Sequence, residues 1–203
     1  MKKILYLVLI LIIAAISYLK WQNRGESVAT TPAASPSPTA TAQASDNQVL
    51  TTDYFSLTYP KVATSSPVSE SPDSTSWSIR YMGEKQASSG RTQTELFDGY
   101  AITVTVFPTV VGDEPANTQA ESDRQGTIDG CGESSVTKIK NDEVAGNQAI
   151  SFTGGCIGEA TNFYFMDKEI LFRISTMAVG EPEDVFTYQQ TVDQALASVK
   201  LLK

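Results

Sequence analysis

Residues 161–166 and 169–177 are two runs of alternating apolar and polar side chains, separated only by Asp167-Lys168. Two residues cannot make a crossover, so such a pair is expected to close as an antiparallel hairpin. In the register centred on Asp167-Lys168, Phe165 lies opposite Ile170 and Phe163 opposite Phe172. Phe163, Phe165, Ile170, Phe172 and Ile174 then share one face, and so much apolar surface on one side of two strands must be covered. The chain is therefore expected to build a sheet with a buried face.

Other segments supply more strands. Residues 54–59 alternate, with Phe55, Leu57 and Tyr59 on one side, and stop at Pro60. A polar stretch carrying Pro67 and Pro72 reads as a loop, and residues 76–82 read as a strand with Trp77, Ile79 and Tyr81 on one face. Residues 83–98 read as a long mobile loop. Residues 100–107 are the most β-branched run, with Ile102, Val104 and Val106 together. Residues 136–140 and 148–153 flank a turn-rich connection, Asn141 to Asn147, and read as a second hairpin.

Two helices complete the pattern. Pro115 suits a first helical turn and Gly126 a stop, which predicts a short, weakly apolar, peripheral helix. Pro182-Glu183-Asp184 opens a second helix, with carboxylates at the positive end of the dipole. There Val185, Val192, Leu196 and Val199 form an apolar stripe, with Phe186 alongside. The expected fold class is α+β: an antiparallel sheet of about six to seven strands with the C-terminal helix and the short second helix packed on it.

Three regions divide the 203 residues. Residues 1–21 hold Lys2 and Lys3, an apolar run from Ile4 to Leu19, and Lys20-Trp21. This is expected to be a transmembrane signal anchor: sixteen helical residues span roughly 24 Å of a ~30 Å hydrocarbon core, and the flanking Lys and Trp cover the rest. A cleaved signal peptide, cut after Ala15-Ile16-Ser17, is the alternative. The lysines before the run place the N-terminus inside and the bulk of the chain outside the cytoplasm, as a single-pass protein of the cell membrane. Residues 22–49, rich in Pro, Ser, Thr and Ala, are expected to be a disordered, semi-extended linker. Residues 50–203 are then an extracytoplasmic domain, long enough to pack its own core.

From residue 50 onward 11 lysines and arginines face 21 aspartates and glutamates, a balance of −10. That disfavours nucleic acid, which requires clustered cations. The chain has no histidine, which excludes a histidine-based triad and an imidazole pH switch. Its two cysteines, Cys131 and Cys156, have glycines at 130, 132, 154 and 155 beside them. If the hairpin is centred on Asn141 to Gly146, extending its ladder brings Cys131 opposite Cys156, and an exported domain favours a disulfide there.

Motifs for catalysis are weak. Ser135-Val136-Thr137-Lys138 matches Ser-x-x-Lys, but on a strand residues three apart face opposite sides. Asp113-Glu114, Asp142-Glu143 and Glu181, Glu183 and Asp184 lie at turns or a helix start, where acidic residues are expected for structural reasons. No catalytic residue, metal ligand or cofactor is expected.

Asp53-Tyr54-Phe55-Ser56-Leu57-Thr58-Tyr59-Pro60, Ile102-Thr103-Val104-Thr105-Val106, Val144-Ala145-Gly146-Asn147-Gln148-Ala149, the aromatic hairpin and the closing Gln194-Ala195-Leu196-Ala197-Ser198-Val199-Lys200 together resemble the PsbP-like α/β/α sandwich. That fold is shared by an extrinsic photosystem II subunit, a nuclear-import factor and many small exported bacterial proteins. The resemblance covers most of residues 53–202, and the sequence departs from it at Pro60-Lys61-Val62, where an aromatic residue often follows the first strand. It implies binding rather than catalysis and carries no active-site residues. The expected function is a membrane-anchored, non-enzymatic binding or scaffolding domain for a protein or cell-envelope partner, acting through one face or the 83–98 loop. The alternative is an acidic-site hydrolase or a calcium-dependent envelope module.

Overall fold

The computed structural model describes residues 46–71, 73–91, 95–110 and 114–202. The run from Ile4 to Leu19 and the linker as far as residue 45 lie outside them. Among the described residues no helix is long and apolar enough to cross a membrane.

Among the described residues, ten strands form two antiparallel sheets. The larger has the order β3 (Thr64–Glu70), β4 (Thr75–Met82), β5 (Gly99–Phe107), β9 (Ile170–Val179), β8 (Ala160–Asp167), β7 (Asn147–Gly154) and β6 (Lys140–Val144). The smaller has the order β1 (Asn47–Thr51), β2 (Phe55–Pro60) and β10 (Lys200–Leu201). Among the described residues three α-helices are interleaved: α1 (Glu84–Ser88), α2 (Pro115–Cys131) and α3 (Pro182–Ala197).

The main core takes the apolar alternation of the strands. Phe55, Leu57 and Tyr59 of β2, Ile79 of β4, Ile102, Val104 and Val106 of β5, Phe165, and Phe172 with Ile174 are all buried in it, together with Val192 and Ala195 of α3. Phe165 and Phe172 stack at 5.2 Å between ring centroids. Ser198 bolts the end of α3 to the small sheet, accepting the Thr58 amide at 2.8 Å.

The opposite face of the large sheet mixes polar side chains with a second, smaller apolar cluster. Ile150, Tyr164, Arg173, Thr105 and Ser76 are cross-strand partners in one row. Over this row lies α2, whose Ala120 packs on Phe152 and Tyr164. The helix is too polar to be held by apolar burial alone, and an ion-paired cluster supplies the rest. Asp123 Oδ2 accepts from the Tyr164 hydroxyl at 2.8 Å and from Arg173 Nη1 at 2.9 Å. Ser76 and Thr105 bond side chain to side chain at 2.9 Å. Burial, reinforced by the Asp123 charge, raises the Tyr164 phenol well above its ordinary range.

Several expectations need correction. The Pro67 stretch is strand β3, because an edge strand has a side where a missing N–H costs nothing, and a bulge separates Pro67 from Ser69. The described part of 83–98 carries helix α1 and a buried Gln86, which the reading of the segment as a long mobile loop does not foresee. Helix α2 runs through Gly126 to Cys131, since a lone glycine weakens a helix without ending it. Strand β1 begins at Asn47, inside the stretch assigned to the linker, and β1, β2 and β10 make a separate small sheet. Phe186 is 64% exposed instead of joining the apolar stripe.

Both hairpin registers also differ. Asp167 pairs with Ile170, so Phe165 faces Phe172 and Phe163 faces Ile174. The loop is Lys168-Glu169, with Lys168 at φ 54. A slip of two residues leaves the face unchanged, so the same side chains are brought together. In the other hairpin β6 runs to Val144, which pairs with Asn147 across Ala145-Gly146, both at positive φ. That tight turn needs φ above zero at both positions, which Gly146 supplies freely.

Candidate functional site

At one end of the core, β4 and β5 are joined by a segment that folds back on itself. Gly83 precedes α1, and its amide donates to the Asp98 carbonyl at 2.8 Å. A side chain at Gly83 would run into the Asp98 carboxyl and the Tyr188 hydroxyl, so only glycine permits this approach. Gly99, at φ +131, lies against the Tyr81 carbonyl and returns the chain to the sheet.

Two buried polar side chains hold the segment. Gln86, 0% exposed, donates from Nε2 to the Arg91 and Glu95 carbonyls at 3.3 and 3.1 Å. Its Oε1 accepts from the amides of Phe97 and Asp98 at 3.0 and 3.3 Å. Asp98, 2% exposed, accepts at Oδ2 from the amides of Lys85 and Gln86 at 2.8 and 3.3 Å. These N–H groups lie in the first turn of α1 and would otherwise lack partners, so the carboxylate serves as their cap. Its Oδ1 accepts from the Tyr188 hydroxyl of α3 at 3.0 Å.

A pocket of about 440 Å³ opens beside this assembly, lined by Tyr81, Glu84, Lys85, Ser88, Asp98, Asp184 and Tyr188. Tyr81 and Tyr188 meet edge to face at 5.7 Å, and Tyr100 stacks on Tyr81 at 5.4 Å. Lys85 Nζ donates to Asp184 Oδ2 at 3.0 Å and lies 3.9 Å from Glu181 Oε1. The hydrogen bond to Asp184 raises the Lys85 ammonium above the usual lysine value. Burial pushes the Tyr188 phenol up, and the bond to Asp98 adds to the shift.

Other hollows are less constructed. A groove of about 470 Å³ beside the start of α2 is lined by Glu114, Asn117, Asn141 and Gln148 among others. Those four polar side chains are exposed. The pocket between α1 and α3 differs in having a buried carboxylate whose contacts fix its shape.

Cys131 ends α2 and Cys156 follows β7, with Cα atoms 4.9 Å apart, so the pair stands at disulfide distance. The ladder extension is not what brings them together. Val136, not Cys131, bridges to the β7 end at Gly154, and Cys131 reaches Cys156 from a helix. Ser135 lies in the 3-10 turn Glu133–Ser135 and gives its hydroxyl to the Cys131 carbonyl at 3.1 Å. Asp142 is on β6, where burial alone would raise its carboxyl, but the Ser151 hydroxyl, the Glu143 amide and Lys140 together hold it below the ordinary range. Among the described residues no group of three or more acidic or cysteine side chains is placed to hold a metal ion.

The sequence reading does not single out Asp98, Gln86 or Tyr188, and it takes Tyr81 only as one of the side chains on the face of its strand. Gly83 and the Asp98-Gly99 pair at the start of the best strand were the available signal.

No family model and no curated protein matches the chain. Among solved structures it is similar to the solution structure of cyanobacterial PsbP (CyanoP) from Synechocystis sp. PCC 6803. The TM-score is 0.50 at 11% identity, over 81% of this chain and 97% of that one. The domain has a PsbP-like fold. At that identity the likeness speaks for the fold alone. A Bacteroides thetaiotaomicron VPI-5482 crystal structure also matches, with a TM-score of 0.39 at 8% identity over 73% of this chain and 45% of that one. In this PsbP-like domain the candidate pocket lies where the β4–β5 connection meets the first turns of α3.

Proposed function

We propose that this protein is a membrane-tethered, extracytoplasmic binding domain without catalytic activity, which holds a protein or cell-envelope partner at the pocket between α1 and α3. The observation that carries the reading is the segment pinned by Gln86 and Asp98. A connection that already has its hydrogen bonds made loses little entropy on binding, so it presents a preformed surface. Two of the acidic side chains are engaged in structural bonds, Asp98 with the α1 amides and Asp142 with Ser151, which supports binding over hydrolysis at those positions. The apolar run from Ile4 to Leu19 and the lysines before it support tethering with the domain outside.

The test is cross-linked capture from the native host's envelope with the full-length chain. A partner held by the wild type and lost on Ser88→Trp, which fills the pocket from its lining, supports the reading. Equal capture by both, or none by either, contradicts it. Protease added to intact cells should remove the domain; survival there with digestion after lysis would reverse the orientation.

A further inference from the structure

We propose that the pocket walled by Tyr81 and Tyr188 receives a lysine or arginine side chain from an exposed segment of a partner protein, in the place now held by the Lys85 ammonium. The proposal rests on the reading of this pocket as the binding site. Glu84, Asp98 and Asp184 line the pocket, and among the described residues Lys85 is its one cationic lining residue. Asp98 spends its lone pairs on the α1 amides and Tyr188, which leaves Asp184, with Glu181 at the rim, for a cation.

Lys85 shows what the position accepts. Its ammonium reaches Asp184 at 3.0 Å in a pocket that Tyr81 and Tyr188 also line, and a charge-assisted bond to a carboxylate is stronger than a neutral one. Yet the Lys85 side chain is 55% exposed, so this internal occupant is weakly held and easily displaced. Charge decides the class of partner. Helix α3 carries no lysine or arginine, and the domain's balance of −10 steers a basic segment in while repelling an anionic one.

The test is an NMR titration of the full-length chain in detergent micelles at low salt. The probes are acetyl-Gly-Lys-Gly-amide and the same peptide with norleucine in place of lysine. The lysine peptide should saturably shift Tyr81, Ser88 and Tyr188 resonances and the norleucine peptide should not. Asp184→Asn should abolish the effect, Asp184→Glu should retain it, and Glu183→Gln, the same charge change outside the pocket, should leave affinity nearly unchanged. Lys85→Gln should tighten binding by about two- to fivefold, the range an exposed ion pair supports. Equal binding of the two peptides, equal loss in Glu183→Gln and Asp184→Asn, or weaker binding by Lys85→Gln overturns the proposal. Envelope capture separates the two claims: a partner lost on Ser88→Trp but held equally by wild type and Asp184→Asn keeps the binding reading and sinks this one. A lysine peptide bound at the pocket with no partner captured does the reverse.

Discussion

The Tyr188 hydroxyl donates to Asp98 at 3.0 Å, joining helix α3 to the β4–β5 connection across 90 positions of chain. The other oxygen of the same carboxylate holds the first turn of α1. One buried side chain thus fixes both walls of the pocket. Asp98→Ala would leave two amides and a phenol without their acceptor. It is expected to cost about 2–3 kcal/mol in urea melts of the full-length protein, where a cost near zero would show that the carboxylate is dispensable.

Tyr100 makes the opposite prediction. It is 2% exposed, and among the described residues its hydroxyl has no hydrogen-bond partner. Tyr100→Phe should therefore change stability at neutral pH by no more than about 1 kcal/mol, in either direction. Burial, with Tyr81 and Tyr59 nearby, pushes this phenol up to about 12. The folded state favours the neutral form, so its contribution is complete below the ordinary tyrosine value of about 10 and is lost as pH rises toward 12. Alkaline melts should show a shallower decline in Tyr100→Phe than in the wild type.

Side-chain periodicity explains why the strand faces were legible and the pocket was not. Phe163, Phe165, Phe172 and Ile174 fall on one face in any register that slips by two, so the core survived an error in the turn. The turns themselves depend on one or two residues at positive φ, such as Lys168 and Ala145, which carry no strong local signal. Helix α2 was hard to bound because it is tied down through Asp123, Arg173 and Tyr164, partners 41 to 50 residues apart. The pocket depends on Gln86 and Asp98, polar residues in a polar stretch, and only long-range contacts reveal that they are buried.

The acid limb of stability should report on Asp142. Its carboxyl titrates below the ordinary value in the fold, so its stabilising effect is present above that value and disappears as pH falls through the lowered one. Asp142→Asn should flatten the loss of melting temperature in this acid range while leaving the alkaline range unchanged. An unaltered acid profile would mean that the Ser151 and Lys140 contacts contribute nothing.

For Cys131 and Cys156, whose Cα atoms are 4.9 Å apart, mass spectrometry of non-reduced protein from its native host should show one linked peptide pair. Recovery of both thiols alkylated without reduction would contradict the bond and the oxidising compartment inferred with it.

Amide hydrogen exchange across residues 83–98 of the full-length protein tests the preformed pocket most directly. The amides of Lys85, Gln86, Phe97 and Asp98 each have a side-chain acceptor in Asp98 or Gln86. They should exchange slowly, at rates approaching those of strand β5, before any ligand is added. Exchange of all four at the rate of unstructured chain would contradict the account.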